Sequence, residues 1–251
     1  MEINGHNLNV EQYGSENGPC VVLLHHGLGS VKAWREQIPA LMNEGYRVIA
    51  YDRWGYGGSD ARQGLDLPTF AADIDDLYRL QVLLGLQQAA LVGHSDGGTI
   101  ALYYAAQHPH LVTCLVSVAA HIYVEPKMEP GILGIQHAFD SDEHFRAGLR
   151  YAHGTKYEAV FHNWFDGWYQ IESLSWDMRP TLSQLSCPVL VVQGEEDEHA
   201  TPQQAIDLAR AIPQSELWLM PGIGHMVPQE AASIFNPKLL QFLKQPESIE
   251  R

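Results

Sequence analysis

Five short runs dominated by apolar residues constrain this chain most: Cys20–Leu24, Arg47–Tyr51, Ala89–Val92, Leu111–Ala119 and Cys187–Val192. A run that does not alternate with polar residues suits a strand buried on both faces of a parallel sheet. Between the runs lie stretches with helical spacing. Val31–Asn43 carries Trp34, Ile38, Leu41 and Met42 and is closed by Gly45, and a second helix opens at Pro68 and runs through Leu84 to a stop at Gly85. Strand followed by helix, repeated, requires right-handed crossovers and predicts an α/β fold with a mostly parallel central sheet flanked by helices. A helix over Pro202–Ala211, a strand over Glu216–Met220 and a helix over Gln229–Phe242 complete the alternation. At the start, Glu2–Asn4 and Leu8–Tyr13 read as a short hairpin turning at Asn4-Gly5 or His6-Asn7.

One long stretch breaks the rhythm. His121 to Pro180 holds 11 of the chain's 24 aromatic residues, among them Trp164, Phe165, Trp168, Tyr169 and Trp176. It reads as a helical cap, inserted at about 121–180 over the carboxyl edge of the sheet, within a single domain spanning residues 1–251. Nothing polar or rich in Pro and Ser divides the chain.

The composition narrows the partners. With 30 acidic and 15 basic residues the net charge is −15, a field that repels phosphate backbones and anionic membranes. Nucleic acid and membrane partners are therefore not expected. No apolar run approaches the length that spans a bilayer, and the first residues lack a basic segment followed by an apolar one, so the chain is expected in the cytoplasm. The sequence does not fix the oligomeric state, and a monomer or homodimer is expected. Cys20, Cys114 and Cys187 have no metal-ligand spacing and lie in apolar runs, which predicts buried, reduced thiols and no metal site.

The chemistry is carried by Gly93-His94-Ser95-Asp96-Gly97-Gly98, which follows one apolar run and precedes the helical Thr99–Ala106. Strand, tight turn and helix give a G-x-S-x-G match its meaning: the serine sits on a strained turn and its hydroxyl is presented at the carboxyl edge of the sheet. A serine needs a base to take its proton and an acid to orient that base. Asp197, in Gly194-Glu195-Glu196-Asp197-Glu198, and His225, in Gly222-Ile223-Gly224-His225, each follow a strand and so reach the same edge. Glu195, Glu196 and Glu198 compete with Asp197 for the acid's role. Two backbone donors for a developing oxyanion are expected from Asp96, next to the nucleophile, and from Leu28 in the loop His26-Gly27-Leu28-Gly29. His25, His26 and His94 are read as structural, and His121 and His199 as neighbours of the pocket.

The motifs HHGLGS (25–30), DRWGYGGSD (52–60), GHSDGG (93–98), GEEDEHATP (194–202) and GIGHMVPQE (222–230) together resemble the serine hydrolases of the α/β-hydrolase fold over the whole chain. That resemblance implies a triad of Ser95, Asp197 and His225, an acyl-enzyme mechanism with no cofactor, and hydrolysis of carboxylic esters of small molecules. Lactones, thioesters and C–C bonds are served by the same triad, and some proteins of this fold act as small-molecule receptors with slow turnover. Serine at the nucleophile position disfavours epoxide hydrolase and dehalogenase chemistry, which uses aspartate there. Asp96 gives S-D-G-G, as in the valacyclovir hydrolase (biphenyl hydrolase-like) group, and Trp164-Phe165-Asp166-Gly167 is similar to a W-x-D-G segment of that group. The likeness implies that Asp96 binds the ammonium of α-amino-acid esters. A helix-opening role, with the side chain turned from the pocket, is the alternative. Trp164, Trp168 and His121 are the further substrate-binding candidates.

Overall fold

A computed structural model describes residues 1–171 and 175–244. Its strands are β1 (Glu2–Ile3), β2 (His6–Asn7), β3 (Val10–Tyr13), β4 (Cys20–Leu24), β5 (Arg47–Tyr51), β6 (Ala89–His94), β7 (Val112–Val118), β8 (Val189–Gly194) and β9 (Ser215–Met220). Its α-helices are α1 (Gln37–Asn43), α2 (Ala71–Leu83), α3 (Asp96–Gln107), α4 (Met128–Ser141), α5 (Glu143–His153), α6 (Tyr157–Ile171), α7 (Arg179–Leu182), α8 (Pro202–Ala211), α9 (Val227–Glu230) and α10 (Ala232–Leu243). The main sheet runs β3-β5-β4-β6-β7-β8-β9; β3 is antiparallel to β5 and every other pairing is parallel.

Each central strand sends alternate residues to opposite faces, and both faces are covered. Val21 and Leu23 pack with Trp34, Ile38, Leu41, Phe235, Leu239 and Phe242 on one side. Val22 and Leu24 pack with Leu77, Leu80, Ile100 and Tyr104 on the other. Two-sided burial is why these strands read as unbroken apolar runs. No helix among the described residues is long and apolar enough to cross a membrane.

The structure departs from the sequence reading in four places, each with a local cause. The opening hairpin pairs β1 with β2 across Asn4 and Gly5, whose φ angles are 50° and 88°, and Leu8–Tyr13 is not its second strand. Few residues precede the turn, so pairing runs out at the bond from the Leu8 N–H to the Met1 carbonyl, and β3 joins the main sheet instead. The expected helix over Val31–Asn43 is a 3-10 turn at Val31–Trp34 followed by α1. Pro39 explains the split, since its ring would collide with the preceding turn of a continuous helix. Helix α2 begins at Ala71 rather than Pro68, because the Asp66 carbonyl accepts from Thr69 and Phe70 and its carboxylate caps the Ala72 N–H at 2.7 Å. The last helix is interrupted at Ala231, where φ is −121°.

Between β7 and β8 the described residues form helices α4 to α7 and one isolated bridge, Tyr123 to Asp177. Residues 172–174 of the expected 121–180 insertion lie outside the described residues.

The turn from β6 into α3 leaves no room for a side chain at Gly93 or Gly97. A Cβ on Gly93 would stand 2.2 Å from the Gly97 carbonyl oxygen, and one on Gly97 would stand 2.1 Å from that of Leu24. Gly134 in α4, by contrast, is exposed with nothing near it. Gly97→Ala is therefore expected to destabilise the protein by at least about 2 kcal/mol in urea unfolding, whereas Gly134→Ala is expected to stabilise it by roughly 0.5–1 kcal/mol. Equal effects would contradict this packing.

Candidate active site

Ser95 occupies the turn itself, with φ 54° and ψ −120°, a conformation a non-glycine residue holds only when its surroundings impose it. They do: the Ser95 N–H donates to the Val118 carbonyl at 2.8 Å, and the Ser95 carbonyl accepts from Gly98 and Thr99. The side chain borders a cavity of about 250 Å³ at the carboxyl edge of the sheet. Asp96 follows as the first residue of α3, where backbone N–H groups have no partner within the helix.

Asp197 is fully buried just past β8 and collects four donors. Its Oδ1 accepts from the backbone N–H groups of His199 (2.7 Å) and Ala200 (3.1 Å). Its Oδ2 accepts from Gln193 Nε2 (2.6 Å) and lies 2.8 Å from His225 Nδ1. Burial alone would push this carboxyl up, yet the His225 partner and the donated bonds outweigh it and hold the carboxyl well below its usual range. A carboxylate that stays ionised fixes the proton on His225 Nδ1 and leaves Nε2 as the basic nitrogen. His225 shows the complement: burial opposes its charge, but Asp197, through charge and hydrogen bond, raises its pKa above the ordinary histidine value, with Glu198 and Asp96 adding to the effect. The surrounding imidazoles differ. Burial pushes His94 and His199 down to about 3 and His121 to about 4, so they stay neutral.

Histidines also build the loop carrying Leu28. A carbonyl only accepts, so His153 Nε2 donates to Leu28 O (3.0 Å) while its Nδ1 accepts from the Gly57 N–H (3.0 Å). By the same logic His25 Nδ1 donates to His26 O and its Nε2 accepts from the Arg53 N–H. His94 Nε2 donates to His225 O at 2.9 Å, tying the end of β6 to the loop after β9.

Asp96 has a neighbour that the sequence did not reveal. Its Oδ1 accepts from Trp168 Nε1 (3.0 Å) and its Oδ2 from Arg53 Nη2 (3.3 Å). Arg53 is 1% exposed, also reaches Asp73 Oδ1 (3.4 Å), and stacks over Tyr56. Asp73 in turn binds Arg62 (2.8 Å), which pairs with Asp66. The Asp96 side chain neither turns away from the cavity nor stands there uncompensated: one oxygen holds the α6 tryptophan and the other is neutralised by a buried guanidinium. A charged residue in a glycine-rich loop reads as solvated, and only the fold shows Arg53 against Asp96.

Ser95, Asp96, Leu28, His225, His121, Trp164 and Trp168 all line the one cavity, and Asp197 lies behind His225. Sequence reasoning did not single out Met128, Ile132 and Ile135 of α4, Phe145 of α5, or Met226, which complete the apolar wall. Their helical spacing is indistinguishable from that of core residues. Glu198 and His199 also face this space, with the His199 ring 4.7 Å from that of His225. Gly27 leaves room for the far end: a Cβ there would meet Trp164 Nε1 at 2.1 Å.

A family profile described as alpha/beta hydrolase fold matches residues 19–156. Serine hydrolase BPHL of Mus musculus is 31% identical over 250 residues, covering 97% of this chain and 85% of that protein. The putative carbamate hydrolase RutD of Agrobacterium fabrum is 30% identical over 249 residues, covering 88% of this chain and 92% of that one. Among solved structures, the enol-lactonase from Burkholderia xenovorans LB400 superposes with a TM-score of 0.77 at 25% identity, over 96% of this chain and 98% of that one.

The buried Asp197–His225 pair makes a direct prediction. Titrating the imidazole carbon-bound protons by NMR should give His225 a pKa above the ordinary 6.5, and Asp197→Asn should move it downwards, because burial is then opposed by less charge. A His225 midpoint unaffected by the substitution would contradict the pairing.

Proposed function

The chain belongs to the α/β-hydrolase fold family, and from that premise we propose that it is a serine hydrolase that cleaves carboxylic esters of small molecules through an acyl-enzyme intermediate. The observation that carries the reading is the Asp197–His225 hydrogen bond of 2.8 Å, behind a cavity whose wall also contains Ser95 on its strained turn.

In this reading His225 Nε2 takes the Ser95 hydroxyl proton as Oγ attacks the ester carbonyl. Asp197 stabilises the imidazolium that forms and keeps its orientation. Negative charge gathers on the carbonyl oxygen, where the backbone N–H groups of Leu28 and Asp96 meet it. Collapse of this intermediate breaks the bond to the alcohol, and His225 returns its proton to the leaving oxygen. Water then attacks the acyl-enzyme by the same route in reverse, releasing the acid and restoring Ser95. Nothing in the cycle consumes an oxidant or a reductant.

Helices α4, α5 and α6 act as the cap. Met128, Ile132, Ile135, Phe145 and Trp164 give the cavity an apolar lining suited to the hydrocarbon parts of a small ester. His121 and Trp168 complete the wall beside the triad, their rings 5.4 Å apart. Asp96 serves the substrate through its N–H and by holding Trp168 in place. With its oxygens bound to Trp168 and Arg53, its carboxylate offers little free charge to an α-ammonium group.

Mixing the protein with excess p-nitrophenyl acetate should release a burst of p-nitrophenol close to one equivalent if deacylation is slower than acylation, and steady turnover in either case. Ser95→Ala should lower kcat by at least about a thousandfold. Activity that survives the substitution would overturn the mechanism.

A further inference from the structure

Two carboxylates line the cavity, Asp96 and Glu198, and no Lys or Arg does so among the described residues. Their situations are opposite. Asp96 is 1% exposed and neutralised from beneath by Arg53. The Glu198 side chain is 57% exposed and pairs with no Lys or Arg among the described residues: its Oε1 lies 3.9 Å from His199 Nε2, on an imidazole that burial keeps neutral at ordinary pH. Its Oε2 accepts the backbone N–H of His225 at 3.1 Å. The open charge of the cavity therefore sits at its His225 end.

That end has a defined chemical meaning. A histidine that returns a proton to the leaving oxygen must lie against the alcohol half of the ester, whereas the carbonyl oxygen points to the Leu28 and Asp96 donors. Glu198, fastened to the backbone of His225, flanks the alcohol half. Helix α4 closes over the same place: a Cβ on Gly131 would stand 2.7 Å from His199 Nδ1 and 2.9 Å from Glu198 O. A cation entering here leaves bulk water partly behind, where a carboxylate attracts it more strongly than at an open surface. The chain's net charge of −15 favours the approach of such a molecule.

We propose that Glu198 is a specificity-determining residue that selects esters whose alcohol half carries a cationic amine close to the ester oxygen. The inference rests on the ester-hydrolase reading above and assigns charge recognition to Glu198, on the leaving-group side, rather than to Asp96.

The test compares kcat/KM for 2-(trimethylammonio)ethyl acetate and its uncharged isostere 3,3-dimethylbutyl acetate in wild type, Glu198→Gln and Asp96→Asn. The quaternary amine keeps the charge independent of pH, and glutamine keeps an acceptor for the His225 N–H. Wild type should favour the cationic ester by about tenfold, as expected for one partly screened charge pair, and Glu198→Gln should bring the ratio close to one. A ratio that Glu198→Gln leaves in place, or one that collapses only in Asp96→Asn, overturns the proposal. If wild type cleaves neither ester, the ester reading fails, and binding of choline, followed by tryptophan fluorescence, decides the charge site separately. Weaker choline binding in Glu198→Gln supports it; equal binding, or none in wild type, overturns it.

Discussion

At Ser95 the chain passes from β6 into α3 with so little room that a methyl group on Gly97 would stand 2.1 Å from the Leu24 carbonyl oxygen on the neighbouring strand. The serine is held at φ 54° by bonds to β7 and to its own helix, so its conformation is a property of the sheet. Because the strands are parallel, the residues following β4, β6, β7, β8 and β9 emerge at one edge. Leu28, Ser95, His121, Asp197 and His225 reach a common space without any of them being close in sequence.

The same edge gathers buried charges, and each is compensated in its own way. Moving a carboxylate out of water costs several kcal/mol unless donors replace the lost hydration. Asp197 has four such donors, which is what separates it from Glu195, Glu196 and Glu198, where strand spacing alone did not. Asp96 has Arg53 and a tryptophan. Arg53 links Asp96 to Asp73, and Arg62 extends the alternation of charges towards Asp66. Trp168 therefore couples α6 to the residue after Ser95, and His153 couples α5 to the Leu28 loop. The helices over the site and the sheet beneath it are joined by hydrogen bonds as well as by apolar packing.

Strands buried on both faces were legible because their composition admits little else, and every central strand lies where its apolar run does. Helix starts were less legible. Pro39 and the Asp66 turn act through local geometry that periodicity does not weigh, and β3 found its partner across the sheet rather than across the nearest turn. Within the site, residues whose spacing is set by strand ends were readable, and Ser95, Asp197 and His225 belong to that class. Arg53, His153 and the α4 side chains were not, since their places depend on how distant loops pack. Asp96 shows the boundary well: its position beside the serine was evident, while the partners of its carboxylate came from residues 53 and 168.

The central claim is that Ser95 is the activated nucleophile of this cavity. Labelling the intact protein with a fluorophosphonate, followed by peptide mass mapping, tests it most directly. One adduct is predicted, on the peptide containing Ser95, and its formation should slow markedly when Asp197 is changed to Asn. No adduct, or an adduct on another residue with Ser95 unmodified, would contradict the account.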